Sequence, residues 1–167
     1  MAIDIIPVWK QVTPALTEEL VAMWQGSNAM PDPAAAAVRA GQAVCVGRDE
    51  NGVLCGVGTA VLRVLPRLRQ PMYYYRQFFT AQARGQDQAR PFFAAAKETL
   101  QAYNAGLPAP ESIGLLLELE NPRLAARYNM AQGTQTTFIG YSPRGLQLRV
   151  AYFDGATLLE PRGPKAR

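Results

Sequence analysis

Apolar positions recur along this chain with two different periods, and the switches between them outline its elements. Ile3 to Trp9 alternates with a period near two, which predicts a first strand. Leu16, Leu20, Met23 and Trp24 then recur at helical spacing, behind the cap-and-proline pair Thr13-Pro14 and ahead of Gly26. The same pair returns as Asp32-Pro33 before a short alanine-rich helix ending near Arg39. Gln42 to Arg48 and Val53 to Leu65 read as two strands joined by an Asp-Glu-Asn-Gly turn. Gly56 and Gly58 inside the second of these mark a bulge or a close approach.

Met72 to Ala81 is crowded with aromatic residues, as a half-buried strand is. After a glycine-bearing turn, Phe93, Ala96, Leu100 and Tyr103 form one apolar stripe of a long helix closing near Ala105-Gly106. Pro91 disfavours a helical Arg90 and argues for a late helix start. Ile113 to Leu119 is an apolar run, the mark of a strand covered on both faces. Asn121-Pro122 opens a third capped helix reaching to Gly133, and Thr134–Tyr141 and Leu146–Phe153 form a closing pair of strands. Alternating strands and helices predict an α/β (α+β) fold with helices flanking a mixed sheet.

A chain of 167 residues with 49% apolar residues fits one globular domain over residues 1–157, followed by a basic, flexible tail over 158–167. No apolar run approaches the length of a membrane helix, and MAIDIIPVWK lacks the pattern of a signal peptide, so a cytoplasmic location is expected. The chain contains no histidine. That excludes Ser-His-Asp and Cys-His chemistry and histidine-held metals, and leaves acid–base work to Glu, Asp, Tyr, Lys or water. Cys45 and Cys55 flank a turn and read as two buried thiols, too few to hold zinc, so no metal site is expected.

The net charge of +4 suits an anionic partner. Nucleic-acid binding would rest on the basic stretch Arg63–Arg69 and on Tyr73-Tyr74-Tyr75-Arg76, since aromatic side chains interleaved with arginine stack bases. A substrate-side strand of an α/β enzyme is the simpler reading of the same residues.

Between the aromatic strand and the long helix sits Arg84-Gly85-Gln86-Asp87-Gln88-Ala89-Arg90. A turn feeding a helix N-terminus presents free N–H groups and the positive end of the helix dipole, which suits a phosphate. With its flanks, this stretch resembles the signature of the GNAT family of N-acetyltransferases, an Arg/Gln-x-x-Gly-x-Gly/Ala turn between strand and helix. Arg84, Gly85, Gln86, Ala89 and Arg90 fit its common form, and Asp87 stands where the family usually has its second glycine. Asn121, Tyr128 and Gly133 also follow the family's Asn-x-x-Ala-x-x-Leu-Tyr segment, with Ala125 one place beyond its alanine, Arg127 in place of leucine and one extra residue before the glycine.

The resemblance spans roughly Thr13 to Phe153 and implies a mostly antiparallel sheet of about seven strands. It further implies transfer of an acyl group, acetyl first, from acyl-coenzyme A to a small-molecule or peptide amine. Cofactor contacts are then expected at Arg84, Gly85, Gln86, Asp87, Gln88, Ala89 and Asn121, and the acid for the leaving thiolate at Tyr128. A homodimer is compatible with it. Glu118, in a leucine-rich strand, and Glu120 beyond it are candidate bases; carboxylates paired with arginine at the sheet end are the competing reading. Asp87 leaves two functions open. One is a transferase with an unusual cradle. The other is a protein that keeps the fold but has a degenerate cofactor site and acts as a non-catalytic binding module.

Overall fold

The computed structural model describes residues 2–121, 130–131 and 135–163, with 130–131 described by strand pairing alone. Within these lie strands β1 (Asp4–Pro7), β2 (Ala43–Arg48), β3 (Leu54–Val64), β4 (Pro71–Phe79), β5 (Gly114–Leu119), β6 (Met130–Ala131), β7 (Thr136–Tyr141) and β8 (Gln147–Tyr152). The helices are α1 (Pro14–Gly26), α2 (Pro33–Ala40) and α3 (Ala89–Ala105). Hydrogen bonding orders the strands β1-β2-β3-β4-β5-β8-β7-β6. The β4–β5 pair is parallel, while β1–β2, β2–β3, β5–β8, β6–β7 and β7–β8 are antiparallel. The mixed, mostly antiparallel sheet expected from the sequence is therefore present, with the two-residue β6 as an eighth strand.

Chain contacts divide the molecule into two compact units. Residues up to Ala60 together with Gln77–Leu100 make the first, and Val61–Arg76 together with Gln101 onward make the second. Strands β3 and β4 and helix α3 each run through both.

In the first unit, local chemistry sets the helix starts. The Thr13 hydroxyl accepts from Leu16 N at 3.1 Å and an Asp32 carboxylate oxygen accepts from Ala34 N at 3.0 Å, each followed by proline in the first turn. Leu16, Leu20 and Trp24 of α1 and Ala36 and Ala40 of α2 bury against Ala43, Val46, Leu54 and Val57 of the sheet. Gly47 and Gly56 are there for room. A Cβ on Gly47 would stand 2.9 Å from the Phe92 ring, and one on Gly56 would stand 2.8 Å from the Phe79 ring. Those two rings meet edge to face at 5.1 Å, so the glycines let α3 seat an aromatic pair against the sheet. Phe92, Phe93, Ala96 and Leu100 are the buried apolar residues of α3, with Phe92 added to the stripe read from sequence and Tyr103 only half-buried. The helix begins at Ala89 and not beyond Pro91. Pro91 falls in the first turn, where its missing N–H costs no helical bond.

In the second unit, Met72, Tyr74, Ile113, Leu116 and Val150 make the core, with Val61, Leu65, Ile139, Leu148 and Leu159 packed on it. Strand β5 is buried only over its first three residues; Leu117 to Leu119 are half-buried. The stretch read as a tail from residue 158 is tied down as far as Arg162. The Gln70 amide donates to Leu159 O at 2.9 Å and accepts from Leu159 N at 2.8 Å, and Arg162 N donates to Arg69 O at 2.8 Å. Of the helix expected from Asn121 to Gly133, residues 122–129 and 132–133 lie outside the described residues. Met130–Ala131 instead pairs antiparallel with Thr136–Thr137 of β7.

Candidate active site

The glycine-bearing turn belongs to the first unit. Thr80 O accepts from Ala83 N and Arg84 N, both at 3.0 Å, which reverses the chain after β4. The Arg84 guanidinium folds back, donating to Phe79 O at 3.0 Å with its carbon 5.6 Å from the Phe78 ring centroid. Gly85 and Asp87 have φ of +75° and +55°. Both values are left-handed, where glycine is free and aspartate is among the best tolerated of the other residues. Asp87 thus supplies the backbone conformation that a second glycine would have given. Phe92 N donates to Gln88 O at 3.0 Å and starts the helical ladder. The N–H groups of Gly85 through Arg90 have no acceptor among the described residues.

The exposed Asp87 carboxylate takes none of these amides, so it does not cap α3. Six consecutive amides at a helix N-terminus thus stay available for an anion. Gln77 and Gln88 brace this stretch, their side chains donating to Ala89 O at 3.4 Å and Gln86 O at 3.1 Å.

The second unit holds the carboxylates. The β4–β5 register covers Tyr73↔Leu115 and Tyr74↔Leu116, whereas β5 stays paired with β8 to its end. Glu118, near that end, has a side chain only 10% exposed. Its carboxylate accepts from Arg144 Nη1 at 2.7 Å and from the Tyr74 hydroxyl at 3.4 Å. Glu120 is exposed and accepts from the same guanidinium at 3.2 Å. Both carboxylates proposed as bases therefore share one arginine, delivered by the β7–β8 turn, where Gly145 N bonds Ser142 O at 2.9 Å.

Two more cations border this group. The Arg63 guanidinium carbon lies 4.2 Å from the Tyr74 ring centroid and that of Arg76 lies at 5.5 Å. Burial raises the Tyr74 phenol above its ordinary range and the Glu118 carboxylate adds to this, while Arg76 and Arg63 pull it back.

Of the residues expected at the site, Arg84 to Ala89 form the turn, and Glu118 and Glu120 meet at Arg144. Asn121 is exposed, and the helix it was expected to cap lies outside the described residues, as does Tyr128. Tyr74, Arg63 and Arg76, which the sequence offers as a nucleic-acid or substrate-side stretch, gather with Arg144 around Glu118 in a cluster that the sequence reading does not assemble. Its signal was the alternation that puts Arg63 in register with Val61 and Leu65, and Arg76 in register with Met72 and Tyr74, on the core face. The same geometry weakens the nucleic-acid reading, because Tyr73, Tyr74 and Tyr75 are all buried and leave no ring face for a base. No group of metal-binding side chains occurs among the described residues.

No family model matches the chain, and no curated protein does. Solved structures do. A GNAT-superfamily phosphinothricin acetyltransferase from Sinorhizobium meliloti, in complex with acetyl-coenzyme A, superposes with a TM-score of 0.62 at 14% identity, over 96% of this chain and 94% of that one. The chain carries the GNAT fold. A putative acetyltransferase from Salmonella typhimurium with its cofactor acetyl-coenzyme A matches at 0.53 and 14% identity, over 96% and 99% of the two chains. A spermidine N-acetyltransferase chimera from Vibrio cholerae and hSSAT matches at 0.54 and 11% identity, over 90% and 93%. At these identities the likeness establishes the GNAT fold and leaves the chemistry to this chain's own residues. No helix among the described residues is long and apolar enough to cross a membrane.

Proposed function

We propose that this protein is an N-acyltransferase that moves an acyl group, acetyl first among candidates, from acyl-coenzyme A to an amine. The observation that carries the reading is the row of unpartnered amides from Gly85 to Arg90 at the start of α3. These amides would hold the pyrophosphate, with Arg84 and Arg90 adding positive charge. When bound, the thioester supplies the acyl carbon: the amine nitrogen bonds to it, the C–S bond breaks, and the amine's proton and the thiolate's new proton both need protein or water partners. The resemblance gives the second role to Tyr128, as a phenol donating to a thiolate of comparable basicity. Glu118, largely buried and held by Arg144 and the Tyr74 hydroxyl, is the base candidate over the exposed Glu120.

A non-catalytic binding module is the second reading, and the Asp87 carboxylate beside the cradle favours it, since a negative charge there repels a pyrophosphate. Calorimetric titration with acetyl-coenzyme A separates the two. Micromolar binding by the wild type, tightened roughly 3–10-fold in Asp87→Gly as one exposed like charge is removed, supports the transferase. Absence of binding in both proteins sinks it. Given turnover, Tyr128→Phe should lower kcat while leaving acetyl-coenzyme A affinity near the wild-type value.

A further inference from the structure

The cluster around Tyr74 is unbalanced in charge. Glu118 and Glu120 are both engaged by Arg144. Arg63 and Arg76 flank the same ring, and neither guanidinium meets a carboxylate among the described residues. The Nε of Arg76 is buried and has no hydrogen-bond acceptor there. Burying a guanidinium donor without an acceptor is costly, and it persists where a ligand supplies the missing group. A guanidinium presents its donors in a fork suited to a planar or tetrahedral oxyanion.

We infer that Arg63 and Arg76 recognise an anionic group on the acceptor, so that the acceptor is an amino-acid-like amine bearing a carboxylate and not a polyamine. The inference rests on the transferase reading and narrows its acceptor. The anion would lie against Arg63 and Arg76. The ammonium of the same molecule is attracted to Glu118, whose carboxylate is linked to both Arg144 and the Tyr74 hydroxyl. A polycation such as spermidine would meet three guanidiniums against two carboxylates and could not supply the acceptor that Arg76 lacks.

The test measures acceptor binding without acetyl-coenzyme A, so it stands even if the cofactor reading fails. L-Methionine, L-phenylalanine and L-glutamate are titrated by ligand-observed NMR, each beside its α-carboxamide, with spermidine as the cationic probe. The expected result is at least one acid bound roughly ten-fold or more tightly than its carboxamide, with spermidine weaker still. In Arg76→Gln that acid-over-amide ratio should collapse toward one, and in Arg63→Gln, on the exposed side, it should fall less. A melting curve on each variant separates lost recognition from lost folding, and Arg76→Lys, which keeps the charge without the fork, should recover part of the ratio. Equal binding of acid and carboxamide, tighter binding of spermidine, no binding of any acid, or a ratio unmoved in a folded Arg76→Gln overturns the inference. Loss of acetyl-coenzyme A binding with the acid preference intact would overturn the transferase reading alone.

Discussion

The turn of the first unit and the polar face of the second present their polar groups in opposite ways. Between Gly85 and Arg90 the groups on offer are backbone amides, and side chains matter for the φ they permit or the bond they brace. Around Glu118 they are side chains gathered from β3, β4, β5 and the β7–β8 turn, and the backbone only sets their register. A backbone site tolerates unfamiliar residues if the dihedrals survive, as Asp87 shows. A side-chain site tolerates new neighbours only if the strands stay in register.

The largest effect expected from that contrast is at Gly114. A Cβ there would lie 2.3 Å from Ala151 O and 2.8 Å from Tyr152 Cα, both backbone atoms of the β5–β8 pair. Neither can step aside without moving β8. Gly114→Ala should therefore destabilise the protein by about 3 kcal/mol, at the upper end of overpacking costs, read as a lower urea midpoint. A midpoint within error of wild type would mean that the register carrying Glu118 is softer than this contact implies.

The units should also separate in alkali. Burial pushes the Cys45 thiol of the first unit up to about 12 from an ordinary 9.0. Burial, with Glu111 as hydrogen-bond acceptor, raises Tyr73 of the second unit from 10.0, and burial with Glu118 raises Tyr74. Each folded-state value lies above the unfolded one, so the stability these groups contribute is complete below the unfolded value and lost as pH rises toward the folded one. Loss should begin near pH 9 through Cys45 and deepen above 10 through the tyrosines, each fully coupled group contributing a slope of about 1.4 kcal/mol per pH unit. Cys45→Ala should flatten the first part of a stability-versus-pH curve and leave the second. An unchanged first part would assign it to Cys55, which burial also raises.

The contrast explains what could be read without coordinates. Cap-and-proline pairs placed the starts of α1 and α2 to the residue, because capping is decided within four residues of chain. The turn was legible for the same reason: Gly85 and the helix after it are local signals. Pro91 misled because a proline disfavours a helical neighbour in general but is harmless in a first turn, and only the position of Ala89 tells which case applies. The pairing of Glu118 with Arg144 and the approach of Arg63 to Tyr74 join residues 26 and 11 positions apart in sequence, across strands whose order the chain does not announce. The anchoring of Leu159 and Arg162 was missed likewise, since a Pro/Gly/basic composition says nothing of a Gln70 side chain that pairs with it like a strand.

The smallest expected effect is the sharpest test of the backbone site. Gly85 has φ of +75° and open space around a Cβ, with nothing within 4 Å. Gly85→Ala therefore meets no clash and suffers only the left-handed backbone cost, about 1 kcal/mol, partly offset because alanine has less unfolded-state freedom to lose. The melting temperature should fall only slightly, by far less than for Gly114→Ala. If the turn relaxes toward negative φ to relieve the strain, the amides after it turn to new directions, and acetyl-coenzyme A affinity should fall by more than the stability loss alone accounts for. Gly85→Asn, a residue tolerated at positive φ as Asp87 already is, should restore most of the affinity. Equal affinity in Gly85→Ala and the wild type would show that these amides do not hold the ligand, whatever holds it instead.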